Sequence, residues 1–158
     1  MKIAELEINI MAVPQGYYLA QGISRDLNFK VGLPAEFEKT YNLKEKLTDK
    51  YDEIECGETY LIDNVYSLVV KDSSYDSPDR DLLMEALVNL RDQMEENKTT
   101  KLAIPRLCCG RGGLDWDDVS NDWICFRRCG YPDSCLCTVG GNYGREITSL
   151  PCYGNNKQ

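Results

Sequence analysis

The stretch Lys101-Leu-Ala-Ile-Pro105, then Cys109-Gly-Arg-Gly-Gly113, then Asp115-Trp-Asp-Asp-Val119 obliges a strand to turn sharply into a helix. Leu102-Ala-Ile104 is a continuous apolar run, as a strand covered on both faces must be. The glycines let the chain reverse tightly. Asp117 and Asp118 then fall in a first helical turn, where the dipole favours acids. Strand, glycine bend and helix form a unit of α/β sheets, and the rest of the chain agrees with it. Ile3 to Ile10 and Tyr17-Tyr-Leu-Ala20 read as strands. Leu33 to Tyr41 reads as a helix with Pro34 in its first turn, and Leu43 to Leu47 as a second short helix. Thr59-Tyr-Leu-Ile62 and Tyr66-Ser-Leu-Val-Val70 flank the turn pair Asp63-Asn64 and read as a hairpin. Ser77-Pro78-Asp79 starts the clearest helix, with Ser77 as its cap and a stripe of Leu83, Leu87, Leu90 and Met94, with Leu82 and Ala86 beside it. Asn97 is its expected stop. This order predicts an α/β domain with a mixed central sheet flanked by helices.

At 158 residues the chain fits one domain, residues 1–158. Its 18 Lys+Arg against 26 Asp+Glu give a net charge of -8. No basic footprint for nucleic acid or for an anionic membrane is present, so neither is expected as a partner. The sequence has no histidine. That removes Ser-His-Asp and Cys-His catalysis and every zinc site that needs an imidazole. No apolar run approaches the ~20 residues of a membrane span, and MKIAELEINI does not read as a secretory signal. The expected location is cytoplasmic, and the expected state monomeric. The eight cysteines should then be thiols or metal ligands rather than disulfides.

Residues 125–158 differ from the rest. They hold five cysteines and five glycines and carry a net charge of +2, against -10 for residues 1–124. Only Arg145 to Leu150 reads as a strand there. A shifted reading frame near residue 122 would explain the change and would leave the sheet short of a strand. Cys125, Cys129, Cys135 and Cys137 supply four thiolates, but their spacing is not the paired C-x₂-C of zinc ribbons, so no metal site is assigned.

The glycine bend carries the chemistry. Backbone N–H groups at such a bend approach an anion closely, and the following helix adds its positive end. An acidic protein can grip a diphosphate in this way. The bend matches neither the P-loop nor the Gly-x-Gly-x-x-Gly pattern, and a plain strand-to-helix turn is the alternative. Here three segments matter together. Ala103-Ile-Pro-Arg-Leu-Cys-Cys-Gly110 with Leu114-Asp-Trp-Asp-Asp-Val119 resembles the macro-domain signature MPRIGCGLDRLxWxxV. Gly16-Tyr-Tyr-Leu-Ala-Gln-Gly-Ile-Ser24, with Val31-Gly-Leu-Pro-Ala-Glu-Phe37, is similar to GYYLAHCIS and GAGIAxEF. Asn64-Val-Tyr-Ser-Leu-Val-Val-Lys71, with the Ser77-Pro78 helix start, is similar to a strand ending in lysine and then KPTY. The matches run in order over residues 1 to about 124. The chain thus resembles the macro-domain branch of terminal ADP-ribose protein glycohydrolase and its bacterial and phage relatives.

The resemblance implies a three-layer macro-like domain with a cleft for ADP-ribose or an ADP-ribosylated protein, and it implies no cofactor. By position, Gly22, Ile23 and Ser24 line the nucleoside side. Gly32 and Leu33 form the first diphosphate loop, and Gly110, Arg111, Gly112 and Gly113 the second. Asn9 stands near the place of the aspartate that contacts adenine, and it lacks a carboxylate's charge. Lys71 is the catalytic candidate: a lysine that attacks the anomeric carbon of an ADP-ribosyl ester on an acidic side chain. The alternative for Lys71 is a solvated lysine at a strand end beside Asp72. The family's loop aspartate is replaced by Gly112, and Asp115 before Trp116 suits a helix cap better than a replacement acid. Two functions follow: a hydrolase of ADP-ribosyl esters, or a degenerate module that only binds ADP-ribose or a related nucleotide.

Overall fold

The computed structural model describes residues 2–6, 9–108, 113–114 and 135–139. Its centre is a parallel pair, β2 (Tyr18–Ser24) and β4 (Val65–Lys71). β3 (Thr59–Ile62) joins β4 as the antiparallel arm of the expected hairpin, with Asp63 turning at φ 52°. β5 (Lys101–Pro105) lies on the other side of β2, also parallel. β6 (Cys135–Val139) runs parallel between β5 and β1 (Lys2–Leu6). The spatial order is β1-β6-β5-β2-β4-β3, a mixed six-stranded sheet.

Period-two alternation sorts the strand residues onto two faces. Leu19, Ile23, Val65 and Val69 meet Phe37 of α1 (Gly32–Tyr41) and Leu43 and Leu47 of α2 (Leu43–Lys50). Ala20, Tyr66, Leu68, Leu102 and Ile104 meet Leu83, Leu87 and Leu90 of α3 (Arg80–Glu96). The result is three layers, helix on sheet on helix. Phe37, Leu43, Leu47, Leu83, Leu87 and Leu90 lose all contact with solvent, each burial stabilising by about 1.5–3 kcal/mol.

A bare outer edge on β3 would invite another strand. Here side chains occupy it. The Thr59 N–H donates to Asn89 Oδ1 at 2.9 Å, and Gln93 Nε2 donates to the Thr59 carbonyl. From α2 and the residue after it, Lys50 Nζ and Tyr51 OH each donate to the Leu61 carbonyl at 3.1 Å.

Three expectations are corrected. The described part of the first strand is Lys2–Leu6, and Ile10 lies not in it but in a 3-10 turn, Ile10–Ala12, where Asn9 caps the Met11 amide. The cap of α3 is Asp79 rather than Ser77. Its carboxylate accepts from the amides of Asp81 and Leu82 at 2.8 and 3.2 Å, two to three residues ahead, as capping geometry requires. The third concerns the C-terminal region, which supplies β6 to the sheet interior. Cys-Leu-Cys-Thr-Val is a short apolar run once cysteine is counted as a small hydrophobe, and parallel interior strands have that composition. Cys125, Cys129 and the segment Arg145 to Leu150 lie outside the described residues.

Candidate functional site

β2, β4 and β5 run in one direction, so their carboxyl ends meet at one side of the sheet. The connection from β2 crosses the face of α1 and α2, and the connection from β4 to β5 crosses the other face through α3. Crevices in α/β sheets open where successive connections part in this way. The pairing of β2 with β5 ends at Leu19 and Ala103, and beyond it a cleft of about 380 Å³ opens. Gly22, Ile23, Ser24, Gly32, Leu33 and Lys71 all line it, together with the Pro105–Cys108 segment.

Each wall has a local cause. Gly22 leaves room: a Cβ there would meet Val70, Leu107 and Cys108 at 3.6–3.9 Å, ordinary contact distances. The fold would therefore tolerate a methyl, and its absence widens the cleft. Gly32 has φ 70°, a conformation that glycine adopts without penalty and other residues with strain. It opens α1, and Val31 at the cap position offers no side-chain acceptor. Pro34 has no N–H. Gly32 and Leu33 in the first turn of α1 line the cleft, and no side chain caps that positive end of the helix.

Lys71 reaches the rim through a β-bulge. Ile23 pairs with Val69, but Ser24 pairs with Lys71, so Val70 is the extra residue. The Val70 carbonyl accepts from Asp79 N–H at 3.0 Å, and the Lys71 carbonyl accepts from Arg25 N–H at 3.0 Å. Its ammonium donates to the Ser74 carbonyl at 3.2 Å. Asp72, the neighbour that the sequence set beside it, pairs instead with Arg25.

The loop after β2 turns through Leu27, a non-glycine residue at φ 53°. Asp26 ties this turn together. Its Oδ1 accepts from Ser24 Oγ at 2.6 Å and from Asn28 N–H at 3.1 Å, and its Oδ2 accepts from Ser74 N–H at 2.9 Å. Burial works to raise its pKa, but these hydrogen bonds outweigh it and hold the carboxyl at about 2. Asn28 Nδ2 adds a bond to Ser74 Oγ at 3.0 Å.

The remaining sequence-predicted residues divide. Asn9 is not among the residues lining the cleft, because its Oδ1 accepts from the Met11 amide at 2.9 Å and is used locally. Gly113 has φ 75° and borders a bend closed by the Leu114 N–H donating to the Cys108 carbonyl at 3.0 Å. It does not line the cleft either. Gly110, Arg111 and Gly112 lie outside the described residues. Sequence reasoning missed Asn28, Ser74 and Arg106, which also line the cleft, as does Val31 of the first loop. The serine-aspartate run after Lys71 was a readable turn signal, whereas nothing local marks Asn28.

No family model matches the chain. It is 25% identical over 123 residues to the human ADP-ribose glycohydrolase OARD1, covering 75% of this chain and 80% of that protein. Among solved structures it superposes on the macrodomain of Mycobacterium tuberculosis DarG with a TM-score of 0.77 at 18% identity, covering 89% of this chain and 98% of that one. It also superposes on Thermosipho africanus DarTG in complex with ADP-ribose, with a TM-score of 0.72 at 16% identity, covering 91% of this chain and 43% of that one. The three-layer fold with its cleft at the strand ends is that of a macro domain. In sequence the chain is similar to an ADP-ribose glycohydrolase, and in fold to the DarG macrodomain.

Proposed function

We propose that the chain binds ADP-ribose in the cleft between the carboxyl ends of β2, β4 and β5, and that Lys71 releases ADP-ribose held as an ester on acidic protein side chains. The observation that carries the binding is the uncapped amino end of α1, whose Gly32 and Leu33 line the cleft. A diphosphate supplies the missing acceptor there. Gly22 and Ser24 lie on the same cleft, where the nucleoside would sit.

The release step uses what stands at the rim. The neutral amine of Lys71 attacks the anomeric carbon of the distal ribose and forms a C–N bond. The bond from that carbon to the carboxylate oxygen breaks, the carboxylate leaves with the electron pair, and the amine proton passes to solvent. Water then hydrolyses the lysine adduct and returns the amine and free ADP-ribose. The acidic chain and the covered β3 edge support a cytoplasmic monomer.

Binding without turnover is the second reading, and the glycine at position 112, where the family has an acid, favours it. Calorimetry with ADP-ribose tests the first claim, and absence of heat at saturating ligand overturns it. Release from glutamate-linked ADP-ribosylated protein tests the second. Lys71→Ala is expected to lower the rate at least ~100-fold with the dissociation constant within about threefold. A wild-type rate at background alongside normal binding leaves the binding module.

A further inference from the structure

The bonds around Asp26 join two loops that share no strand pairing beyond the bulge. One is the turn after β2, residues 24–28; the other is the turn after β4, residues 73–76, closed on itself by Asp76 N–H donating to the Ser73 carbonyl at 3.0 Å. Ser74 is the crossing point. Its N–H is held by Asp26 Oδ2 and its hydroxyl by Asn28 Nδ2, and its carbonyl receives the Lys71 ammonium. A single residue thus has its donor and its hydroxyl fixed by one loop while its acceptor fixes the lysine of the other. Lys71 has four rotatable side-chain bonds, and among the described residues the Ser74 carbonyl is what receives its ammonium.

We infer that Asp26 is a positioning residue for Lys71, acting through Ser74: its carboxylate fixes the carbonyl that aims the amine across the mouth of the cleft. The inference rests on the proposed lysine chemistry for its effect on rate, but the aiming itself does not depend on turnover. The bulge at Val70 sets the direction of the Lys71 backbone, and the Asp26–Ser74 contact sets where its ammonium rests. Asp26 is not among the residues lining the cleft, and its oxygens serve Ser24, Asn28 and Ser74.

Asp26→Asn is the decisive variant. Its remaining oxygen still accepts from Ser24 and Asn28, while the new NH₂ confronts the Ser74 N–H with a donor. The expected result is a kcat for ADP-ribose release at least ~10-fold lower, with KM and the dissociation constant within about twofold. The rate at which an amine-reactive reagent labels Lys71, read by mass spectrometry, is expected to rise at least ~threefold. Thermal melting checks that the variant is folded. Ser74→Ala, which keeps the backbone contacts and loses the hydroxyl's bonds to Asn28 and Asp26, is expected to move both readouts in the same direction by less, and it stands in if Asp26→Asn does not fold. Unchanged kcat and unchanged labelling overturn the inference. A labelling difference without release in the wild type overturns the proposed hydrolysis and leaves the positioning intact.

Discussion

The amino ends of α1 and α3 face the same problem and solve it in opposite ways. Each leaves first-turn amides without partners inside the helix. At α3 the chain supplies its own acid, with Asp79 accepting from two of them. At α2 it supplies another, with Glu38 Oε2 accepting from Lys44 N–H at 2.9 Å. At α1 it supplies none, and that end lines the cleft. The difference teaches where this acidic protein keeps a place for a foreign negative charge. A carboxylate at the cap would have stabilised the fold, so leaving the position apolar gives up stability at the proposed ligand site.

Converting the open end into a closed one is the strongest test. Val31→Asp places an acceptor at the α1 cap, as Asp79 does for α3. The expected outcome is a melting temperature raised by a few degrees, from about 0.5–1 kcal/mol of capping and dipole energy. ADP-ribose affinity should fall at least ~10-fold by calorimetry, because the new carboxylate occupies the anion's place and repels it. Equal affinity with a raised melting temperature breaks the comparison. The reverse change, Asp79→Ala, removes the cap of α3 and leaves the α1 amides untouched. It is expected to cost about 1 kcal/mol in urea denaturation and to leave affinity within about twofold.

Asp26 offers a test by pH. Its folded-state pKa of about 2 lies below the ordinary carboxylate value, so its contribution is present above about pH 4 and is lost as pH falls from there toward 2. Urea midpoints should decline across that window in the wild type, and less steeply in Asp26→Asn. The decline is shallow, because the residue is exposed and solvent screens its interactions. The smallest effect belongs to Glu38→Ala, which uncaps α2 at an exposed site. About 0.5 kcal/mol or less is expected, with binding untouched.

Periodicity carried most of the fold. The α3 stripe at Leu83, Leu87, Leu90 and Met94 and the Asp63-Asn64 hairpin were readable because burial on one face repeats at 3.6 or 2.0 residues. β2 extends to Ser24 past the point where the apolar run breaks, because Gln21 and Gly22 interrupt it. Gln21 is buried all the same, its amide donating to Ser67 Oγ at 3.1 Å. β6 was hidden by cysteines that read as chemistry rather than as packing. The cleft was legible through the resemblance at Gly22, Ser24, Gly32, Leu33 and Lys71. The turn held by Asp26 was not, since its partners lie 46 and 48 residues apart along the chain, and no local pattern encodes a contact of that span.

The strand order has a consequence for synthesis. β1 is made well before its partner β6, which starts at Cys135. At about 5–20 residues per second, the opening segment waits roughly ten seconds for its neighbour, while β2, β3, β4 and β5 already have one another. During that interval the growing polypeptide carries an unmatched β-forming segment, a template on which another nascent chain could pair.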